Sequence, residues 1–166
     1  VFDGETASFV EMIYGSEDYD SGVTISLKYP SLSFENEIKY NVYFAINKAD
    51  TKEIGLLTWS SKPADATVAT AENVISGSVY DAASGLYMVR SNGIPAKNMG
   101  DTVWFAVYAQ LSNGTYTYSK LVDYSPRTYA YTMLGSGDAK LDALLVAMLN
   151  YGTAAQTYFG YNTGNL

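Results

Sequence analysis

The chain contains no cysteine and no histidine. Without cysteine there can be no disulfide, no thiolate metal site and no thiol nucleophile. Without histidine it lacks the commonest general base and the commonest metal ligand together. Positive charge is scarce as well, Lys+Arg 10 against Asp+Glu 17, for a formal charge of -7. A nucleic-acid backbone or an anionic membrane needs a basic patch, so neither is expected as a partner. No secretory leader is visible, and a chain that begins at Val1 is expected to be a piece of a larger one. Its one long apolar run is broken or flanked by Lys140, Asp142, Asn150 and Gln156, which argues against membrane insertion.

What the chain has is enough apolar residue for a core, 48% of 166 residues, or about one domain's worth. Sixteen tyrosines with only 16% charged residues suit the surface of an extracellular β-module. The strongest local pattern is Leu141, Leu145, Met148, Gly152, Ala155 and Phe159, an apolar stripe at helical period. Leu144, Val146, Ala147 and Leu149 widen it, so the first half of this helix is expected to be buried on more than one side. Gly152, Ala154 and Ala155 invite close approach by a neighbour.

Upstream, the pattern is of strands and turns. Ala7 to Ile13 is a candidate strand, and Gly15 to Gly22 an acidic loop. Val23, Ile25, Leu27 and Tyr29 share one face of a strand expected to stop at Pro30. Lys39 to Ile46 points Tyr40, Val42, Phe44 and Ile46 inward and Tyr43 outward; Ile54 to Trp59 is the next strand. Ala66 to Val74 is expected to form a short helix, and Val79 and Leu86 to Arg90 flank a turn. Asn113-Gly114 between alternating runs predicts a two-residue hairpin. That register pairs Phe105 with Val122, Ala109 with Tyr118 and Leu111 with Tyr116. Trp104, Ala106, Tyr108 and Gln110 then share the opposite, more polar face. Ser125 as N-cap, Pro126 at the first position and Gly135 at the end bound a helix from Pro126 to Leu134. A short link then lets Asp138 cap the long helix.

These elements predict a single α+β domain over residues 1–166. Residues 1–123 form an antiparallel, immunoglobulin-like β-sandwich of about seven strands. Residues 124–166 form an αα-hairpin and tail packed on it.

YNVYF at Tyr40 to Phe44, GLLTW at Gly55 to Trp59 and YMVRSNGIPAKNMGDTVWFAVYA at Tyr87 to Ala109 resemble a module of multimodular secreted and cell-surface proteins of gut Clostridia, including ruminococci. The run from Tyr124 to Leu166, with its Asn-Tyr-Gly and Tyr-Phe-Gly-Tyr-Asn-Thr segments, carries the most specific part of the likeness. The resemblance implies an extracellular accessory module beside glycan-active, adhesive or anchoring ones. It brings no catalytic residues and no ligand.

Chemistry has few candidates. Glycoside hydrolysis needs two carboxylates across a cleft, and the acids fall mostly in loops without such a pattern, so the chain is read as non-catalytic and without cofactor. Glu17, Asp18 and Asp20 are a fragment of a calcium loop and better read as a solvated one. Gly93 to Lys97 lacks the Gly-Lys-Ser/Thr of a phosphate loop and is read as a crossover, as is Asn98 to Asp101. Aromatic side chains remain. Trp104, Tyr108, Tyr43 and Trp59, with Gln110 as a polar neighbour, could stack on sugar rings and bond their hydroxyls. The same face could equally be the one the long helix covers. The expectation is thus a non-catalytic carbohydrate-binding module for a polysaccharide or glycan. A protein-binding adhesin module, engaging a host or bacterial surface protein, and a spacer without ligand are the alternatives.

Overall fold

In the computed structural model, residues 22–47 and 51–166 are described. In chain order they form strands β1 (Ile25–Ser33), β2 (Lys39–Ile46), β3 (Thr51–Trp59), β4 (Asn73–Ser76), β5 (Val79–Asp81), β6 (Leu86–Arg90), β7 (Val103–Leu111), β8 (Tyr116–Tyr118) and β9 (Val122–Tyr124). Helices α1 (Pro126–Met133) and α2 (Ala139–Phe159) follow. One sheet has the order β1-β2-β6-β5, the other β4-β3-β7-β8, with β9 also paired to β7. Every pairing is antiparallel. The class is α+β, with two antiparallel sheets and a C-terminal helix. The candidate strand Ala7 to Ile13 and the carboxylates Glu17, Asp18 and Asp20 lie outside the described residues; among the described ones no cluster of potential metal ligands exists.

The two sheets share one core. Leu32, Tyr40, Val42, Phe44 and Val89 come from the first sheet, Leu56, Phe105 and Val107 from the second, and Ala130, Leu145 and Met148 from the helices. Burial of each such side chain contributes about 1.5–3 kcal/mol, which is why the inward alternation of β2 is so regular. β1 departs from the simple pattern. It continues through Pro30 to Ser33, and Lys28 is an extra residue opposite β2, since Leu27 pairs with Phe44 and Tyr29 with Tyr43. This bulge inverts the phase of the strand. Ile25 and Leu27 face inward with their partners Ile46 and Phe44, while Tyr29 turns to the solvent side beside Tyr43. Among the described strands β1 lies at the edge of its sheet, the place where a strand tolerates proline.

The hairpin differs from its expected register by one residue near its tip. Phe105 does pair with Val122, but Ala109 pairs with Thr117 and Gln110 with Tyr116. The loop has three residues, Ser112 to Gly114, closed by Leu111 N–H to the Thr115 carbonyl at 2.8 Å. Gly114 alone takes a positive φ, 90°, whereas the two-residue turn would need one at Asn113 too. Asn113 instead uses its side-chain oxygen to accept from the Thr115 N–H at 3.0 Å. The registers are reconciled at Ser119, whose hydroxyl accepts the Val107 N–H at 2.9 Å.

Residues 66–74 form no helix. Thr70 Oγ1 bonds to the carbonyls of Asp65 and Thr67, at 2.6 and 3.1 Å, and so competes with helical hydrogen bonding. Asn73 and Val74 join β4, pairing with Thr58 and Leu57.

Both C-terminal helices begin on the predicted caps. Ser125 Oγ accepts from Thr128 N–H at 3.0 Å, and Asp138 Oδ1 from the N–H groups of Lys140 and Leu141 at 3.0 and 3.1 Å. Helix α2 buries Leu145, Met148, Gly152, Ala155 and Gln156. It is buried on one side only: Leu144 and Val146 are 43% and 48% exposed, and Phe159 at the end of the stripe is 62% exposed. The helix lies against α1 and the 96–98 turn rather than between layers. Gly152 permits that approach, since a Cβ there would strike Leu166 and come within 3.2 Å of Met99 Sδ. No described helix is long and apolar enough to cross a membrane.

Buried phenols make this core sensitive to alkali. Burial, chiefly, pushes the Tyr40 hydroxyl far above its ordinary value. Burial and the hydrogen bond to Glu53 push Tyr108 up to about 12. A phenol whose folded pKa exceeds its unfolded value keeps more protons folded than unfolded, so stability is intact below about pH 10 and falls as pH rises beyond. Absorbance titration of phenolate should therefore show a late-ionising fraction. Tyr40 and Tyr108 should ionise only above about pH 12 or together with unfolding, and a single transition near pH 10 in the still-folded protein would contradict this.

Candidate functional site

The aromatic residues singled out in the sequence fall in three places. Trp59, Trp104 and Tyr108 share the face of the second sheet that points away from the first, where Trp59 pairs with Trp104. That face is covered, and the cover is the connection between β3 and β4 rather than α2. Ala66, Val68 and Ala71 pack on it. Trp59 donates its indole N–H to the Thr70 carbonyl at 2.8 Å, and Lys62 Nζ sits 5.4 Å from the Trp104 ring centre. Trp59 and Tyr108 are 3% and 1% exposed, so neither ring face is open to a ligand. Tyr108 donates to Glu53 Oε1 at 2.5 Å. Gln110 donates to the Tyr116 hydroxyl at 3.0 Å near the hairpin tip. Tyr43 is on the outer face of the first sheet, stacked on Tyr29 with ring centres 4.8 Å apart. These five residues form no common site.

A concave site lies elsewhere, in a cleft of about 660 Å³. Both sheets contribute to its walls, through Tyr40 and Ser91 on one side and Thr58, Asn73, Ile75 and Val103 on the other. The 91–102 crossover, Arg127 of α1 and the tail after α2 complete them. Local chemistry explains each wall. Ser91 prolongs the β2–β6 ladder, giving its N–H to the Tyr40 carbonyl and taking the Tyr40 N–H on its hydroxyl, both at 2.9 Å. The crossover then makes a 3₁₀ turn at Ala96–Asn98. At the far end, Gly160 takes a left-handed conformation with φ 61°, and Tyr161 N–H bonds back to the Gln156 carbonyl at 3.0 Å. That reversal returns the tail across the crossover.

Asp101 ties the walls together. Its Oδ2 accepts from Asn98 Nδ2 at 2.6 Å and from the Tyr161 hydroxyl at 2.7 Å, and its Oδ1 accepts from Asn162 Nδ2 at 2.9 Å. The bond to this carboxylate is the main cause holding the Tyr161 phenol above its ordinary pKa. Arg127 Nη1 donates to both the carbonyl and the side-chain oxygen of Asn165, each at 2.9 Å. Gly100 leaves room for that tail residue, since a Cβ there would lie 2.5 Å from the Asn165 carbonyl oxygen. Among the described residues the cleft is thus walled by amides, hydroxyls, one carboxylate and one guanidinium, over apolar patches of Ile75, Ile94, Pro95 and Val103. Such a mixture offers hydrogen-bonding groups beside apolar surface, as small-molecule sites do.

The sequence does not mark these residues as a site, because their signal is not periodic. Asn98 to Asp101 was expected only as a crossover, which it is, running from β6 in one sheet to β7 in the other. The clue was the spacing of Gly160, Asn162, Gly164 and Asn165: Gly160, Asn162 and Gly164 all take positive φ and mark a shaped tail. Neither a family model, nor a curated protein, nor a solved structure matches this chain in comparisons with known proteins.

Proposed function

We propose that the chain is a non-catalytic carbohydrate-binding module whose glycan sits in the Asn98–Asp101–Arg127–Tyr161 cleft. The observation that carries this reading is the cleft itself, concave, mixed in polarity and built by convergence of both sheets with the tail. Among the described residues its lining holds a single carboxylate, Asp101, so the second acid that glycoside hydrolysis requires is not among them. The resemblance to accessory modules of gut-bacterial surface proteins supports an extracellular setting, and two antiparallel sheets sharing a core are consistent with an immunoglobulin-like sandwich bearing a helical hairpin.

Calorimetry and affinity electrophoresis against plant, starch and mucin glycans test the reading. Binding is expected for at least one class, weakened ~10-fold or more by Asn92→Ala or Asp101→Asn, at about one to two lost hydrogen bonds. Trp104→Ala should leave affinity within about twofold, because its face is already covered. No binding to any glycan, or binding untouched by both cleft substitutions in folded protein, would sink the proposal. An adhesin role for a protein partner is the second reading, favoured by the exposed tyrosines of α2, Tyr151 at 66% and Tyr158 at 84%. Cleft substitutions would leave that interaction unchanged.

A further inference from the structure

We infer that the glycan bound in this cleft is acidic, and that Arg127 receives its carboxylate. The inference rests on the proposed glycan-binding role and narrows it to uronic-acid-containing chains. Among the described residues Arg127 is the only cationic one lining the cleft, and Asp101 the only anionic one. Their states differ. Asp101 already accepts three hydrogen bonds from Asn98, Tyr161 and Asn162. Arg127 spends only Nη1, and spends it on the neutral Asn165. Ion pairs among the described residues are Lys39–Glu37 at 3.0 Å and Arg90–Glu35 at 3.9 Å, so none of these carboxylates neutralises Arg127.

A guanidinium carries five N–H donors in a planar fork. With Nη1 occupied, Nη2 and Nε have no hydrogen-bond partner among the described residues. Neither is sealed away, since the one buried side-chain polar atom left unpaired among those residues is Gln156 Oε1. The Nη2–Nε edge is the edge that pairs with a carboxylate through two parallel hydrogen bonds. The Asn165 clamp holds the fork in place before a ligand arrives, which reduces the side-chain ordering that binding would otherwise require. A neutral sugar could use the same donors singly. Only a carboxylate uses the charge and both donors at once. Amide side chains of Asn73, Asn92 and Asn98 would then meet ring hydroxyls around the anchored acid.

The test is titration calorimetry with galacturonate and glucuronate oligosaccharides, their methyl esters, and neutral xylo-, cello- and malto-oligosaccharides of equal length. Free acids should bind ~10-fold or more tighter than their own esters, as expected for a charge-assisted bidentate pair. This comparison uses the unaltered protein, so it does not depend on any variant folding. Arg127→Lys, which keeps the charge and loses the fork, should remove most of the preference for the acid over the ester. Equal affinity for acid and ester overturns the inference while glycan binding stands. Binding of neutral chains alone does the same. Failure of every glycan overturns both. An equal loss on acids and esters in Arg127→Lys would assign the residue to holding the tail, and would also overturn the inference.

Discussion

Gly55→Val should destabilise the protein by about 3 kcal/mol or more, among the largest effects of any single substitution. Gly55 lies inside β3, where glycine normally weakens a strand. Its place is explained by its cross-strand partner, Tyr108. A Cβ at Gly55 would strike the Ile75 carbonyl oxygen and lie 2.6 Å from Tyr108 Cε1 and 2.8 Å from its hydroxyl. The tyrosine ring therefore lies across the bare backbone of the glycine, and its hydroxyl reaches Glu53 at 2.5 Å and Ser76 Oγ at 3.2 Å. Flexible side chains can move aside, but the Ile75 carbonyl belongs to β4, paired directly with β3. Relief would require the two strands to separate. Urea denaturation should show the loss in Gly55→Val, with a smaller loss of about 1–3 kcal/mol in Gly55→Ala. Truncating Tyr108 in the same chain should recover only the ring's share, giving a measurable coupling energy. A cost below about 1 kcal/mol for valine would mean that the strand pair is looser than this geometry.

The Gly55–Tyr108 arrangement illustrates what a sequence can and cannot disclose. Signals confined to one element were legible. Ser125 and Asp138 announce their helices because a cap depends only on the next three residues. The inward face of β2 is legible because a half-buried strand has period two. The burial of Tyr108 stays open in the sequence because its alternation is correct but the other face of its sheet is also buried, beneath residues of the β3–β4 connection. Periodicity identifies two faces and does not say how many are covered. Tyr29 reads as sharing a face with Ile25 and Leu27 because one inserted residue, Lys28, inverts a strand without any compositional mark. The apolar richness of α2 misleads for a related reason: Leu144 and Val146 suggest burial all round, but among the described residues the helix packs on one side and both are exposed. The cleft is the extreme case. Asn73, Ser91, Asp101, Arg127 and Asn165 come together from four segments, and each alone is an ordinary polar residue.

Phe105→Ala is the second large effect, at about 3–5 kcal/mol. Phe105 is 1% exposed in the middle of the core shared by both sheets. It sits on β7 between Thr58 of β3 and Val122 of β9, so backbone pairing on both sides prevents the strand from sagging into the space left behind. Its ring stacks on Tyr40 with centres 6.3 Å apart, and Tyr124 meets Tyr40 edge-on at 6.2 Å. Removing it takes one member from an aromatic cluster that spans the two sheets. For a chain of this size the melting temperature should fall by about 10 °C, while Phe105→Leu, which fills most of the volume, should lose less than half as much stability. The second consequence concerns the phenol. Burial is the leading cause of the raised Tyr40 pKa, so a cavity beside that ring that admits water should let Tyr40 ionise at lower pH in the folded variant. If the alanine variant lost stability but Tyr40 still titrated as in the unaltered protein, the cavity would be dry, as apolar voids of this kind can be. If it lost less than about 1.5 kcal/mol, the sheets would not be packed against each other at Phe105. Because Tyr40 also lines the cleft, glycan affinity measured on the same variant reads whether the core beneath the site sets the shape of its floor.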